Sequence, residues 1–507
     1  LVKNAHNIKA RGLRAWLLAK LGKEKAAARM LEDNLELDPF DFVSGFEAIK
    51  AENDSEKKQK MLDDLNGLMR NFQENYLMTA RDFAQWGAYE DAVLVLKQCT
   101  KKYPMLYYYA AYYEEKMGED EAAKKSLEKA EGCVSDYCFP NKLDDIAVLT
   151  FAIENGCKKK APYYLGNLFY DKLQWKKSVE LWEMSEKADD TFSIVHRNLA
   201  LAYYNKMGDS KAAKRELEKA FSLNRKDARI FLELDQLYKK LGYSFKERLA
   251  KYDEDPSLAE SRDDLYIEYI TLMNMCGEYE RAYRCIMGRR FHPWEGGEGK
   301  ITTQYTISLL EMAKQCLASE KYEQAEKLLK KALVYPENLG EGKLEGTKDN
   351  HLFYHLGLAL EAQGKHDEAK TCFETATIGT DEPAGAMYYN DQPADMILYQ
   401  GLAFEKLGKT REAKSRFYRL IDYGEQHLND EGKIEYFAVS LPDFLIFDED
   451  YTKKNRAHCC YLMALGNIGL QNREKAAEFL NEALEIEPSH MLSLIHISEP
   501  TRLALIS

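Results

Sequence analysis

The chain has 507 residues, 31% of them charged and 12% aromatic, and a formal net charge of -13. An acidic balance with no visible Lys/Arg stripe excludes a general nucleic-acid binder, because neutralising phosphates needs clustered basic side chains. No apolar run approaches the roughly 20 residues of a membrane-spanning helix, and 33 tyrosines against 12 prolines fit helices stacked on helices.

Taken in chain order, Leu21, Gly22, Ala27, Leu31 and Pro39 mark a first helical pair, with a glycine where the chain turns. Trp86-Gly87 with Tyr89 and Ala92, then Met117-Gly118 with Ala123 and Leu127, predict two more. A pair centres on Trp175 to Trp182, and another on Met207-Gly208 with Ala213, Leu217 and Ala220. Leu241-Gly242 and Gly277 with Tyr279 and Ala282 follow. In the second half, Met312, Ala313, Ala325, Leu329 and Ala332 repeat the pattern, as do Leu356, Gly357, Gly364, Ala369, Phe373 and Ala376. Gly401, Gly408, Ala413 and Phe417 come next, and Ala464, Ala476, Leu480, Ala483 and Pro488 close the series.

Gly and Ala let paired helices approach closely, while the large apolar residue fills the gap to the next pair, so no unit is stable alone and the array forms one core. This alternation is the tetratricopeptide pattern. The predicted fold is all-α: a tetratricopeptide-type helical-hairpin solenoid of about eleven hairpins. Residues 1–290 are expected to hold irregular repeats, 291–491 regular repeats with inserted loops, and 492–507 a non-native tail. That tail (LSLIHISEPTRLALIS) resembles translated sequencing-adapter sequence and is expected to have no fold.

Ala313, Gly357 and Gly401 recur every 44 residues, about ten more than the roughly 34 that such a repeat needs. Insertions in a repeat array emerge on one face, often the binding face. The first is His292 to Lys300 (HPWEGGEGK), the second Pro336 to Lys343 (PENLGEGK) continuing to His351, and the third contains Tyr388-Tyr389-Asn390-Asp391-Gln392-Pro393. The candidate ligand or domain-docking residues are His292, Trp294, Glu295, Glu298, Lys300, Asn338, Glu341, Lys343, Tyr388, Tyr389, Asn390 and Asp391.

These residue types admit two uses. Trp and Tyr faces pack on sugar rings while Asp, Glu and Asn take the hydroxyls. Gly-rich turns anchored by a Trp equally well fold over the array edge or dock a neighbouring domain, the commoner outcome. The repeated Gly-Glu-Gly-Lys string is not a P-loop, since Trp294 and Glu337 stand where that motif needs Gly, and Ile301 and Leu344 where it needs Ser or Thr. Nothing sets two carboxylates at a defined separation for glycoside hydrolysis, and His292, His351 and His355 are single histidines at hairpin joints. No catalytic residue is expected in this segment.

A concave peptide groove would use Asn, Lys and Arg on inner helices. Asn167, Asn198 and Arg229 lie on such helices, though not at equivalent positions. Most of the ten cysteines, Cys276, Cys316 and Cys372 among them, fall at hairpin-core spacings and behave as small apolar residues. Cys133 with Cys138, and Cys459 with Cys460, lack a second pair at ligand spacing. No metal or other cofactor is expected, and the cysteine use points to the cytoplasm; residue 1 is Leu and lies within a repeat pattern, so a preceding segment and its signal would be out of view. Glu435 to Phe447 is apolar and aromatic, precedes Asp448-Glu449-Asp450, and is expected to pack as an ordered flap.

The strings FHPWEGGEGK, PENLGEGK, YYNDQP and YFAVSLPDF, in this order, resemble the C-terminal half of large bacterial tetratricopeptide proteins. There a β-rich domain similar to galactose-mutarotase-type sugar-binding folds precedes the repeats. The resemblance covers residues 1 to 491. It implies the repeat portion of a longer, carbohydrate-related protein. The expected function is a non-catalytic scaffold whose partner is a protein or that N-terminal domain. A carbohydrate-binding or carbohydrate-processing module using the loops is the second reading, and a peptide-binding adaptor the third.

Overall fold

The computed structural model describes residues 3–292, 294, 296–385, 392–432 and 446–497. Every regular element among them is a helix, as predicted. The chain divides into two compact units, Leu1–Ala202 and Tyr203–Ser507.

The first unit pairs α1 (Ile8–Lys20) with α2 (Glu24–Leu37), α3 (Phe42–Ala51) with α4 (Ser55–Met69), and α5 (Gln73–Gln85) with α6 (Tyr89–Gln98). It continues with α7 (Pro104–Lys116) on α8 (Asp120–Gly132), a single helix α9 (Leu143–Glu154), α10 (Lys160–Asp171) on α11 (Trp175–Ala188), and α12 (Ser193–Ala202).

The second unit opens on a π-helix, Tyr203–Met207, then α13 (Ser210–Leu223), α14 (Ala228–Lys240), α15 (Phe245–Glu254) and the short α16 (Pro256–Glu260). Four regular pairs with long connections follow α17 (Asp263–Met275) and α18 (Tyr279–Met287). They are α19 (Lys300–Ala318) with α20 (Tyr322–Ala332), and α21 (Asn350–Ala362) with α22 (His366–Ala376). Then come α23 (Met396–Lys406) with α24 (Thr410–His427), and α25 (Tyr451–Gly469) with α26 (Arg473–Ile486). The last helix is α27 (Met491–Ile497).

The pairs close by the small-on-large rule. A Cβ added at Gly357 would lie 2.5 Å from Phe373, at Gly401 2.2 Å from Phe417, and at Gly166 2.4 Å from Trp182. Each aromatic follows its glycine by sixteen residues, one helix and one turn later. Phe373, Phe417 and Trp182 are all buried, and each such burial contributes about 2–3 kcal/mol of hydrophobic stabilisation. Trp182 also satisfies its indole N–H, donating to the Tyr163 carbonyl at 3.2 Å and Asn167 Oδ1 at 3.1 Å.

The turns follow the same logic. Gly364 (φ 77°) and Gly408 (φ 74°) sit in the left-handed region that a Cβ disfavours. Between α19 and α20 the equivalent place is taken by Glu320 at φ 59°, which is why that pair lacks the Gly signal. The α3–α4 pair has no such glycine either. Its turn runs through Glu52 to Asp54, whose side chain caps α4 by accepting from Lys57 N–H at 2.8 Å, and the repeat pattern passes over it.

Three expectations are corrected. Helix α27 carries structure to Ile497, past the residue from which no fold was expected. His490 Nδ1 accepts the Ser493 N–H at 3.2 Å, and Leu492 packs on the core that includes Leu398, Phe417 and Leu465. Cys276, Cys316 and Cys372 are only partly buried. Cys276 caps the C-terminus of α17, and Cys372 precedes Phe373, so it points about 100° around the helix from the core. Leu21 is 70% exposed because it is the C-cap of α1 rather than part of its inner face.

Candidate functional site

The first inserted loop leaves α18 at Gly288 and reaches α19 at Gly299. Phe291 is buried beside Tyr266, with ring centroids 6.2 Å apart. Asp263, at the start of α17, ties this stretch down: it accepts the His292 backbone N–H at 2.8 Å, lies 3.3 Å from His292 Nδ1, and pairs with Arg289. Arg289 also lies 4.7 Å from the Tyr266 ring centroid. His292 itself remains exposed.

Trp294 is half-buried and packs on Gly297, where an added Cβ would fall 2.2 Å from the indole. The Gly297 N–H donates to the Trp294 carbonyl at 2.9 Å, and the Lys300 ammonium stands 5.7 Å from the ring centroid. Glu298 is exposed and accepts the Gly296 N–H at 2.7 Å. The glycines here are thus close-approach residues for a Trp. Glu295 lies outside the described residues.

The second loop fastens the first. Asn338 donates from Nδ2 to the carbonyls of Ile286 and Arg289, both at 2.9 Å, and its own carbonyl accepts the Phe291 N–H at 2.8 Å. Its side chain therefore satisfies carbonyls left open where α18 ends. Glu341 Oε2 accepts the Gly299 N–H at 2.8 Å. That N–H belongs to the N-terminus of α19, where an anion is favoured. The Glu of one Gly-Glu-Gly-Lys string thus bonds the helix start that follows the other. Burial raises the Glu341 pKa, the Gly299 bond opposes that rise, and Glu298 adds to it.

Lys343 donates to the Leu333 carbonyl at 3.0 Å, pairs with Asp349 at 2.5 Å and lies 5.0 Å from the Tyr335 ring centroid. Burial pushes the Asp349 carboxyl up, against the pull of Lys343. Leu339, fully buried between these contacts, anchors the loop.

Tyr388, Tyr389, Asn390 and Asp391 lie outside the described residues. The base of their loop is pinned by Gln392, which accepts the Thr380 N–H at 2.9 Å and donates to the Thr380 carbonyl at 2.6 Å. The structure therefore brings the first two loops together by backbone and side-chain bonds.

His351 and His355 belong to the aromatic packing of α21, around Tyr354 and Tyr399. His355 Nδ1 is 2.7 Å from the His351 carbonyl and His351 Nδ1 is 3.1 Å from Met396 Sδ. His292 is held elsewhere by Asp263. Asn198 donates to Asn167 Oδ1 at 3.0 Å, and Arg229 pairs with Glu233 at 3.1 Å.

Residues 435–445 of the expected flap lie outside the described residues, but its end at Ile446 and Phe447, with the acidic run Asp448 to Asp450 that follows, is anchored far back in the sequence. Asn205 donates to the Ile446 carbonyl at 2.8 Å and accepts the Asp448 N–H at 2.9 Å, across 241 and 243 residues. Phe447 is buried on Tyr204, and Glu449 pairs with Lys240 at 2.6 Å and with Lys454. The sequence carries no periodic signal for this pairing.

Four segments match family models described as tetratricopeptide repeat: residues 198–227, 351–377 and 457–490 in one model, and 395–423 in a second. The chain is similar to a tetratricopeptide repeat protein from Parabacteroides merdae ATCC 43184, with 18% identity and a TM-score of 0.24 over 57% of this chain and 98% of that one. A thermophilic tetratricopeptide repeat protein of Thermus thermophilus gives 16% identity and a TM-score of 0.24 over 40% and 99%. Yeast Tom70 gives 12% identity and a TM-score of 0.29 over 98% and 95%. No helix among the described residues is long and apolar enough to cross a membrane.

Proposed function

We propose that this chain is a non-catalytic helical-repeat scaffold, and that the two fastened loops form a platform for a neighbouring domain or protein. The observation that carries the reading is how Asn338, Glu341 and Lys343 are used. Their polar groups are engaged inside the protein, on Ile286, Arg289, Gly299, Leu333 and Asp349, and so hold the loops in one shape. A surface that pre-forms its shape binds without a further ordering cost. The resemblance of the loop strings to large bacterial tetratricopeptide proteins supplies the partner: a β-rich, galactose-mutarotase-like domain preceding the repeats. Hydroxyl-radical footprinting tests it. Trp294 and His292 should be oxidised less in a protein carrying that domain than in this chain alone, and equal oxidation would rule out docking at the loops.

A second reading, direct carbohydrate recognition, draws on the half-buried Trp294 ring and on the exposed Glu298 and His292 of the same loop. A glycan array probed with the chain and with a Trp294→Ala, Glu298→Gln variant decides it. Binding that the variant loses would establish a sugar site, and no signal from either protein would remove it.

A further inference from the structure

Three features outside the loops invite explanation: the Arg248 charge cluster, the Asn205 anchorage and a cavity in the first unit. Arg248 is buried and bonded to both Asp235 and Glu268, so its donors are used within the core. The Asn205 anchorage is likewise complete in itself, with both amide atoms bonded to the backbone. The cavity is different.

It measures about 220 Å³ and lies between α1, α3 and α5, the first helices of three successive pairs. Its walls are mixed: Trp86, Phe42 and Val43 supply apolar surface, and three carboxylates, Asp38, Asp41 and Asp82, stand among them with Lys9. Large apolar side chains stand exposed at its margin, Phe40 at 62% and Met78 at 50%. The volume admits one long side chain.

The carboxylates are unequally satisfied. Asp38 accepts the Phe40 N–H at 2.9 Å and Asp41 Oδ1 accepts the Ser44 N–H at 3.4 Å as the cap of α3. Asp41 Oδ2 is shielded from solvent and has no hydrogen-bond partner. Burial raises the Asp41 pKa, hydrogen bonds to Ser44 oppose it, and the charges of Asp38 and Asp82 raise it further. The basic group at the cavity is the chain's own Lys9, whose ammonium lies 2.7 Å from Asp82 while its side chain is 73% exposed. An exposed lysine on a flexible stem is readily displaced. A cation seated between Asp38, Asp41 and Asp82 would offset their like charge, with its aliphatic stem against Trp86 and Phe42.

We propose that this cavity receives a lysine or arginine side chain from a partner polypeptide, flanked by apolar residues that cover Phe40 and Met78. It rests on the scaffold reading and adds the chemistry of one partner. The site selects for positive charge, the opposite of an Asn/Lys/Arg clamp for a peptide carboxylate.

The test uses the full chain and four fluorescein-labelled capped peptides, identical except for a central Lys, Arg, norleucine or Glu between leucines. Binding is read by anisotropy at low and high salt. The expected result is that Lys and Arg peptides bind about tenfold or more tighter than the norleucine peptide, with the advantage shrinking in salt. The Asp41→Asn, Asp82→Asn double variant should lose that advantage. Asn preserves the helix cap at position 41, and circular dichroism of the variant should match the parent. Equal binding of the Lys and norleucine peptides, retention of the preference in the double variant, or no binding of any peptide would each overturn the proposal. The loop platform is judged separately, since the Trp294→Ala, Glu298→Gln variant should bind the Lys peptide as the parent does; loss there would assign peptide binding to the loops and not to this cavity.

Discussion

The Glu341 carboxylate accepts the Gly299 backbone N–H at 2.8 Å, so that one inserted loop caps the helix launched by another, 42 residues away. The bond stabilises α19 and ties the two loops together. Removing it should loosen both.

Glu341→Ala should therefore destabilise the α18–α19 junction by about 1–2 kcal/mol, the range for lost caps and charge-assisted bonds. Glu341→Gln keeps an acceptor and should cost less than half as much. Amide exchange at Gly299 is the direct readout. Unchanged protection in the Ala variant would mean that the cap contributes nothing.

At Gly357, an added Cβ would lie 2.5 Å from the Phe373 ring. Gly357→Ala should cost about 1–3 kcal/mol by overpacking. Pairing it with Phe373→Leu should recover part of the loss, because the smaller side chain removes the clash. A double-mutant cycle with no coupling would place the strain elsewhere.

Arg248 is fully buried, donating to Asp235 at 2.8 and 2.6 Å and to Glu268 at 2.6 Å, while Tyr252 donates to Asp235 at 3.0 Å. Burial works against its charge, and the two carboxylates more than offset that, holding it protonated. Arg248→Ala leaves a buried carboxylate without its cation and should cost about 3–5 kcal/mol by chemical denaturation. Replacing Arg248 and Asp235 together by Met and Leu should cost less than the single change. A larger loss in the double variant would contradict a desolvation-driven penalty.

His458 is half-buried on α25 with Nε2 2.9 Å from the Ala384 carbonyl. Burial depresses its pKa below the ordinary 6.5, against the raising effect of that carbonyl. The unfolded chain then binds the proton more readily than the folded one. Stability from this residue is present above about pH 6.5 and is lost as pH falls through the lower folded value. Urea denaturation between pH ~7.5 and ~5 should show a steeper decline for the parent than for His458→Gln. Parallel curves would remove His458 as the cause.

Much of the architecture is written locally. Gly357 and Phe373, like Gly401 and Phe417, meet within a single hairpin, so their spacing survives as a readable period. Gly364 and Gly408 announce the turns because their left-handed backbone excludes most other residues. The α3–α4 pair shows where local reading ends, since a side-chain cap at Asp54 does the work of a glycine there.

What Trp294, Asn338, Glu341 and Lys343 do was decided by tertiary structure. Sequence placed Trp294, Asn338, Glu341 and Lys343 together as candidates, yet their chemistry fits a sugar site and a docking clasp equally. Only the fold assigns Asn338 to the α18 carbonyls and Glu341 to the α19 N-terminus. The same holds for Asn205 and Ile446, joined across 241 residues, and for Asp38, Asp41 and Asp82, gathered around one cavity from two segments of the chain. Hairpin packing repeats at fixed spacing and leaves a period in the sequence. A hydrogen bond between distant loops needs only one donor and one acceptor, and leaves none.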